Sequence, residues 1–159
     1  MALNSAGLAT AIQNVFESYP DSAADAASGL ADAYYNYASA GQFGTSTIQL
    51  TPGHKSALES TLLAAIQDPE SASASGFASA WSSGVATFWT AVPVAGAQSG
   101  VTNGCPGAAA LSSSLTSVFS NTENSASDAA NQLATALHGA TTTVTATVAP
   151  PPGTLAPIT

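Results

Sequence analysis

Arginine is absent from this chain of 159 residues, and lysine occurs once, as Lys55, against nine carboxylates for a net charge of -8. Neutralising phosphates takes clustered cations, so the composition excludes direct nucleic-acid binding. Anionic lipid would repel the same surface. Charge of either sign is scarce: 6% of residues carry it, far below the roughly 25% of an ordinary soluble protein. Ser, Thr, Asn and Gln must then cover the exterior, and small uncharged side chains cost little to desolvate when another subunit lies on them. That balance favours assembly.

A single cysteine, Cys105, cannot form an internal disulfide, which suits a reducing compartment. No 18 consecutive apolar residues occur, because Ser, Gln, Asn, Asp or Gly interrupts every run, so no membrane span is expected. The opening MALNSAGL has no basic stretch ahead of an apolar one, and no secretory signal is expected either.

Reactive groups are equally thin. There is no P-loop and no GxGxxG, and Cys105, His54 and His138 offer too few ligands, at no recognisable spacing, for zinc. Cys105 with either histidine could in principle pair nucleophile and base, but it lies in NGCPG between turn formers and no local motif supports it. Asp25 and Asp32, seven apart, share a helix face without a third ligand, and a solvated face explains them better than a metal. Most other carboxylates stand at turns or first helical turns, where they complement the helix dipole. The expectation is no cofactor, no metal and no catalytic site, with His138 capping a helix C-terminus.

What the chain does have is a repeat. Leu8 to Ala33 lies in register with Leu111 to Ala136, 103 positions on, and 11 of the 26 aligned residues are identical, among them Val15/Val118, Phe16/Phe119, Asp25/Asp128 and Leu30/Leu133. Alanine and serine bias would supply roughly two or three such matches, so the apolar ones mark an internal duplication. In the first copy Leu8, Ile12, Val15 and Phe16 fall on one side of a helix. Pro20 breaks it, Asp21 is a candidate N-cap, and Ala23, Ala26, Ala27, Leu30, Tyr34 and Tyr37 form a second helical face. Asn124 takes the place of Asp21 in the later copy. Alanines at Ala23, Ala26 and Ala27 predict closely approaching helix axes.

Between the copies, Thr51 is a candidate cap before Pro52, Leu58, Leu62, Ala65 and Ile66 recur at helical steps, Asp68-Pro69 is a break, and Phe77, Trp81, Val85, Phe88 and Trp89 follow on another helix. The reading is mainly α: repeated helical hairpins at about 5–40, 52–90 and 108–139, two clear and one diverged. Residues 91–107, rich in Gly and Pro, read as an irregular excursion with a short strand. The β-branched run Thr141 to Val148 predicts a strand whose edge a neighbour could pair with, and the ending from 149 to 159 an extended Pro-rich arm. Residues 1–148 then form one domain.

The segments FWTAVPVAGAQSGVT and NQLATALHGATTTVTATVAPPPGT resemble small Ala-rich structural proteins of tailed-bacteriophage virions. The resemblance covers chiefly Phe88 to Thr154 and rests on no motif with known chemistry. It implies a virion subunit of head, neck or tail, made in the host cytoplasm, whose partners are other copies of itself and other virion proteins. Candidate interface residues are Tyr35, Tyr37, Phe88, Trp89, Val144, Thr145, Val148, Pro150, Pro151 and Pro152. The competing reading is a small helical adaptor or secreted binding module.

Overall fold

A computed structural model describes residues 3–68, 73–149, 153–155 and 158–159. The chain is mainly helical, with a small antiparallel sheet. In order, the elements are α1 (Ser5–Glu17), α2 (Ala23–Ser39), β1 (Gln42–Phe43), β2 (Ser46–Ile48), α3 (Pro52–Gln67), α4 (Ala74–Phe88), β3 (Thr90–Ala95), β4 (Ser99–Asn103), α5 (Ala108–Ser120), α6 (Ala126–Thr141), β5 (Ala146–Ala149) and β6 (Gly153–Leu155). Each helix packs on its neighbours in sequence across the intervening turns and strands, and α6 packs back on α1, so the helices close a ring.

Local chemistry sets the helix limits. Asn4 caps α1 through its side chain, Ser22 caps α2 and Ser125 caps α6, each accepting from the backbone N–H three residues on. The cap of α2 is therefore Ser22 and not Asp21, and that of α6 is Ser125 and not Asn124. A hydroxyl one residue later reaches the N3 amide and also donates to the carboxylate there, Ser22 to Asp25 at 2.7 Å and Ser125 to Asp128 at 2.6 Å. Thr51 does precede Pro52 as N-cap of α3; its N–H donates to His54 Nδ1 at 3.0 Å. Of the alanines expected at a close-packed face, Ala27 is buried, while Ala23 and Ala26 are half-buried.

Six strands lie in sequence order, every neighbouring pair antiparallel. One face is buried in the core shared with the helices through Phe43, Ile48, Val92, Val94 and Ala146, and Val148 is buried as well. Residues 91–107 are thus more regular than expected: their Gly and Pro mark a ladder irregularity between Thr90 and Pro93 and the β3–β4 turn, while Val92 and Val94 point to the core.

The strand expected over Thr141 to Val148 starts later, at Ala146, because α6 continues to Thr141. Threonine hydroxyls explain the difference. Thr141, Thr142 and Thr143 donate to the carbonyls of Leu137, Gly139 and Ala140 at 2.8, 2.9 and 2.7 Å, tying their hydroxyls back onto the last turns of the helix.

The C-terminal residues that are described do not form a free arm. β6 pairs with β5, and Ile158, 1% exposed, sends its N–H to Val144 O. Thr159 and Gln42 exchange both backbone hydrogen bonds at 3.0 Å, joining the last residues to β1 and closing the row of strands on itself. Gly41 makes this possible, since a Cβ there would collide with the Ile158 side chain. Pro150, Pro151 and Pro152 lie outside the described residues.

Candidate interaction site

Three elements meet in a buried chain of hydrogen bonds. Trp89 Nε1–H donates to the Tyr34 hydroxyl at 2.8 Å, Tyr34 lies 2.7 Å from Thr141 Oγ1, and Thr141 donates on to Leu137 O. With Trp89 donating in and Thr141 donating out, Tyr34 supplies the proton of the middle bond. Trp81 and Phe88 meet the Tyr34 ring edge-on, at centroid distances of 6.3 and 5.1 Å. Burial pushes the Tyr34 hydroxyl far above its usual range for ionisation, so it stays a neutral donor. Below this chain, Thr102 accepts from Val92 N–H at 2.9 Å and donates to Trp89 O at 2.6 Å, carrying the backbone across the ladder irregularity.

Most interface candidates from the sequence turn out to serve the chain's own core. Phe88, Trp89, Val144 and Val148 are buried, as is Tyr37, whose hydroxyl lies 2.6 Å from His138 Nδ1. The physical reason is that their partners lie within the fold: Phe88 meets Tyr34 and Tyr35, Trp89 donates to Tyr34, Val144 O receives the Ile158 N–H, and Val148 lies on β5. Tyr35 and Thr145 are half-buried; the Tyr35 hydroxyl reaches Leu50 O at 3.4 Å.

The possible catalytic groups do not converge either. His54 caps α3, His138 holds Tyr37, and Cys105 donates to Ala140 O at 3.2 Å, its thiol pushed up by burial. Cys105 and Thr143, more than His138, finish the C-terminus of α6. Asp32 pairs with Lys55 Nζ at 2.8 Å, and among the described residues no three His, Cys, Asp or Glu side chains gather as a metal would require.

At the end of the ring away from the sheet, the C-termini of α1, α3 and α5 meet the N-termini of α2, α4 and α6. Here Val15, Phe16, Tyr19, Leu30, Ile66 and Phe77 line a groove of about 440 Å³. Ile66 and Phe77 also line a second hollow of about 320 Å³ that reaches Phe119, whose ring is 5.0 Å from that of Phe77. Around this end stand Glu17, Asp21, Asp25, Asp68, Glu123 and Asp128, all exposed. The two remaining described carboxylates, Asp32 and Glu59, sit on the flank near Lys55.

Tyr19 is the feature that sequence reading passed over. It follows the C-cap of α1 with φ 47°, in the left-handed region where a glycine usually stands, and its side chain is 85% exposed. That conformation costs a tyrosine about 1–2 kcal/mol, and among the described residues no hydrogen bond of the ring offsets it. The signal was present: Tyr-Pro directly after an amphipathic helix, at a position where the later copy has Thr122.

No family model matches the chain, and no curated protein and no solved structure matches it.

Proposed function

We propose that this chain is a structural subunit of a large assembly, a component of a tailed-phage virion by the resemblance of its sequence, and that it acts by packing against other proteins. The observation that carries this reading is the segregation of its surface. Six of the eight described carboxylates are collected at one end of the helix ring and the other two stand with Lys55 on one flank, while α4, α5 and α6 expose Ser79, Ser83, Ser113, Ser114, Ser117 and Asn131. A flank of hydroxyls and amides gives up water cheaply when a neighbour covers it, and it brings no like charges together.

The finer architecture fits the same reading. Helix, helix, strand, strand occurs three times in order, and α1 and α5 begin 103 positions apart, as do α2 and α6. Buried positions follow the same spacing: Leu8 and Leu111, Ile12 and Leu115, Ala27 and Ala130, Leu30 and Leu133. These facts support a body built of three related helical hairpins, each followed by a strand pair, the middle one diverged. Repeat-built bodies of this kind present similar surfaces several times around an axis, which suits contact with symmetric neighbours.

A small adaptor module is the second reading, favoured by the groove at the acidic end. Size-exclusion chromatography with light scattering, together with mass spectrometry of purified particles from the source, separates the two. Copies of the chain in the particle, and self-association at high concentration, support a structural subunit; a stable monomer absent from particles overturns it.

A further inference from the structure

We propose that the open end of the helix ring is a docking groove for a basic amphipathic segment of a different protein, with the Tyr19 ring as its anchor. The proposal rests on the reading of the chain as an assembly component and names the chemistry of one partner.

Three independent features coincide there. The groove is apolar, continuous through Ile66 and Phe77 into the hollow beside Phe119. Its rim carries exposed carboxylates from all three helix–helix turns or the helix ends flanking them: Glu17 and Asp21, Asp68, Glu123 and Asp128. At its lip stands Tyr19, an aromatic ring held out in a strained backbone conformation that the fold itself does not use. Strain that serves no internal contact is most often found where a ligand is met, and aromatic rings at a water boundary are common interface anchors.

Charge selects the occupant. A second copy docking end to end would set carboxylates against carboxylates. Nor could a copy offer a basic segment, because the chain has no arginine and its one lysine is bonded to Asp32 on the flank. Nucleic acid and anionic lipid are repelled by the same rim. What complements it is a helix or strand of another protein with Leu- or Ile-like residues for the groove and Lys or Arg at their flanks.

The test uses the full chain, an 18-residue amphipathic Leu/Lys peptide, and a Leu/Glu peptide of the same pattern. Affinity is read by calorimetry and the site by amide NMR shifts. The expected result is binding of the Leu/Lys peptide alone, weakened by salt, with shifts centred on Val15, Tyr19, Leu30, Ile66 and Phe77. Tyr19→Gly should weaken it about tenfold while unfolding at the same or a higher temperature, so the loss cannot come from misfolding. Glu17→Gln with Asp21→Asn should weaken it about threefold, and Glu59→Gln, on the flank, should not. Shifts scattered over the surface, equal binding of the Leu/Glu peptide, no binding, or an unchanged affinity for Tyr19→Gly would each overturn the proposal. If particles contain the chain but the peptide ignores the groove, docking alone fails; if the groove binds and particles lack the chain, the assembly reading fails instead.

Discussion

Replacing Tyr34 by phenylalanine removes one oxygen from the centre of the molecule and should be among the more damaging conservative changes. The ring and its edge-on contacts with Trp81 and Phe88 remain, so no cavity beyond an oxygen is made. What goes is the acceptor for Trp89 Nε1–H and the donor to Thr141 Oγ1. Thr141 keeps its bond to Leu137 O and is only partly deprived. Trp89, fully buried, is left with a donor and no acceptor, which costs about 1–3 kcal/mol, and the lost bond to Thr141 adds about 1. The sum, about 3 kcal/mol, should lower the thermal midpoint by roughly 6–12 °C for a domain of this size. A double-mutant cycle identifies the mechanism. Trp89→Phe in the Tyr34→Phe background removes the orphaned N–H, so the double variant should lose less than the two single losses together, with a coupling of about 1–2 kcal/mol. Circular dichroism melts and urea titrations measure all four proteins. A midpoint within about 2 °C of the parent, or strict additivity, would refute the idea that one hydroxyl ties α2, α4 and α6 together.

Three further outcomes are expected. Burial raises the ionisation of Tyr34 and Tyr37 in the fold above the ordinary value of about 10, so the stability from keeping them neutral is whole below that pH and declines above it. Two such groups give a fall of roughly 2.7 kcal/mol per pH unit, with Cys105 starting to contribute at somewhat lower pH; a urea midpoint constant to about pH 11 contradicts this. Gly107→Ala should cost about 1–3 kcal/mol, since a Cβ would stand 2.7 Å from Ala140 Cα and 2.9 Å from Ala140 O, and wild-type stability would show that the α5–α6 junction yields easily. Deleting Ile158 and Thr159 should cost about 5 kcal/mol from one buried isoleucine and three backbone bonds; an unchanged melt would mean that the sheet does not depend on its closure.

The helices were legible because each is long enough for a period of 3.6 to show, and because Pro20 and the Thr51-Pro52 pair mark breaks between them, although the serine caps Ser22 and Ser125 were read one residue early. Leu58, Leu62, Trp81 and Val85 were placed correctly from spacing alone. The strands were legible only in part, since a strand was expected before Val148 and a short one within 91–107, and the rest escaped for two reasons. β1 and β2 hold two and three residues, too few for alternation to register. The threonine run after His138 has strand-like composition, yet its first hydroxyls close α6 by bonding backwards. Contacts across more than a hundred residues, such as Tyr34 with Thr141 or Tyr37 with His138, leave no local trace at all. Those contacts turned expected interface residues inward. The groove was partly legible: Phe16 and Phe119 match in the repeat, and the turn carboxylates were seen, but their gathering at one end depends on the ring closing.

On the proposed reading of three related units, the buried hydrogen-bond chain gives a reason for them to differ at the centre. Tyr34 comes from the first unit, Trp89 from the second and Thr141 from the third. At the position 103 residues beyond Tyr34 stands Leu137, fully buried. A tyrosine at 137 would put a larger ring where the leucine is already fully buried and would overpack the site. On that reading the leucine at 137 keeps the centre packed, whereas at the far end nothing among the described residues requires Tyr19 to differ from Thr122, and the difference there points outward to the proposed partner of the groove.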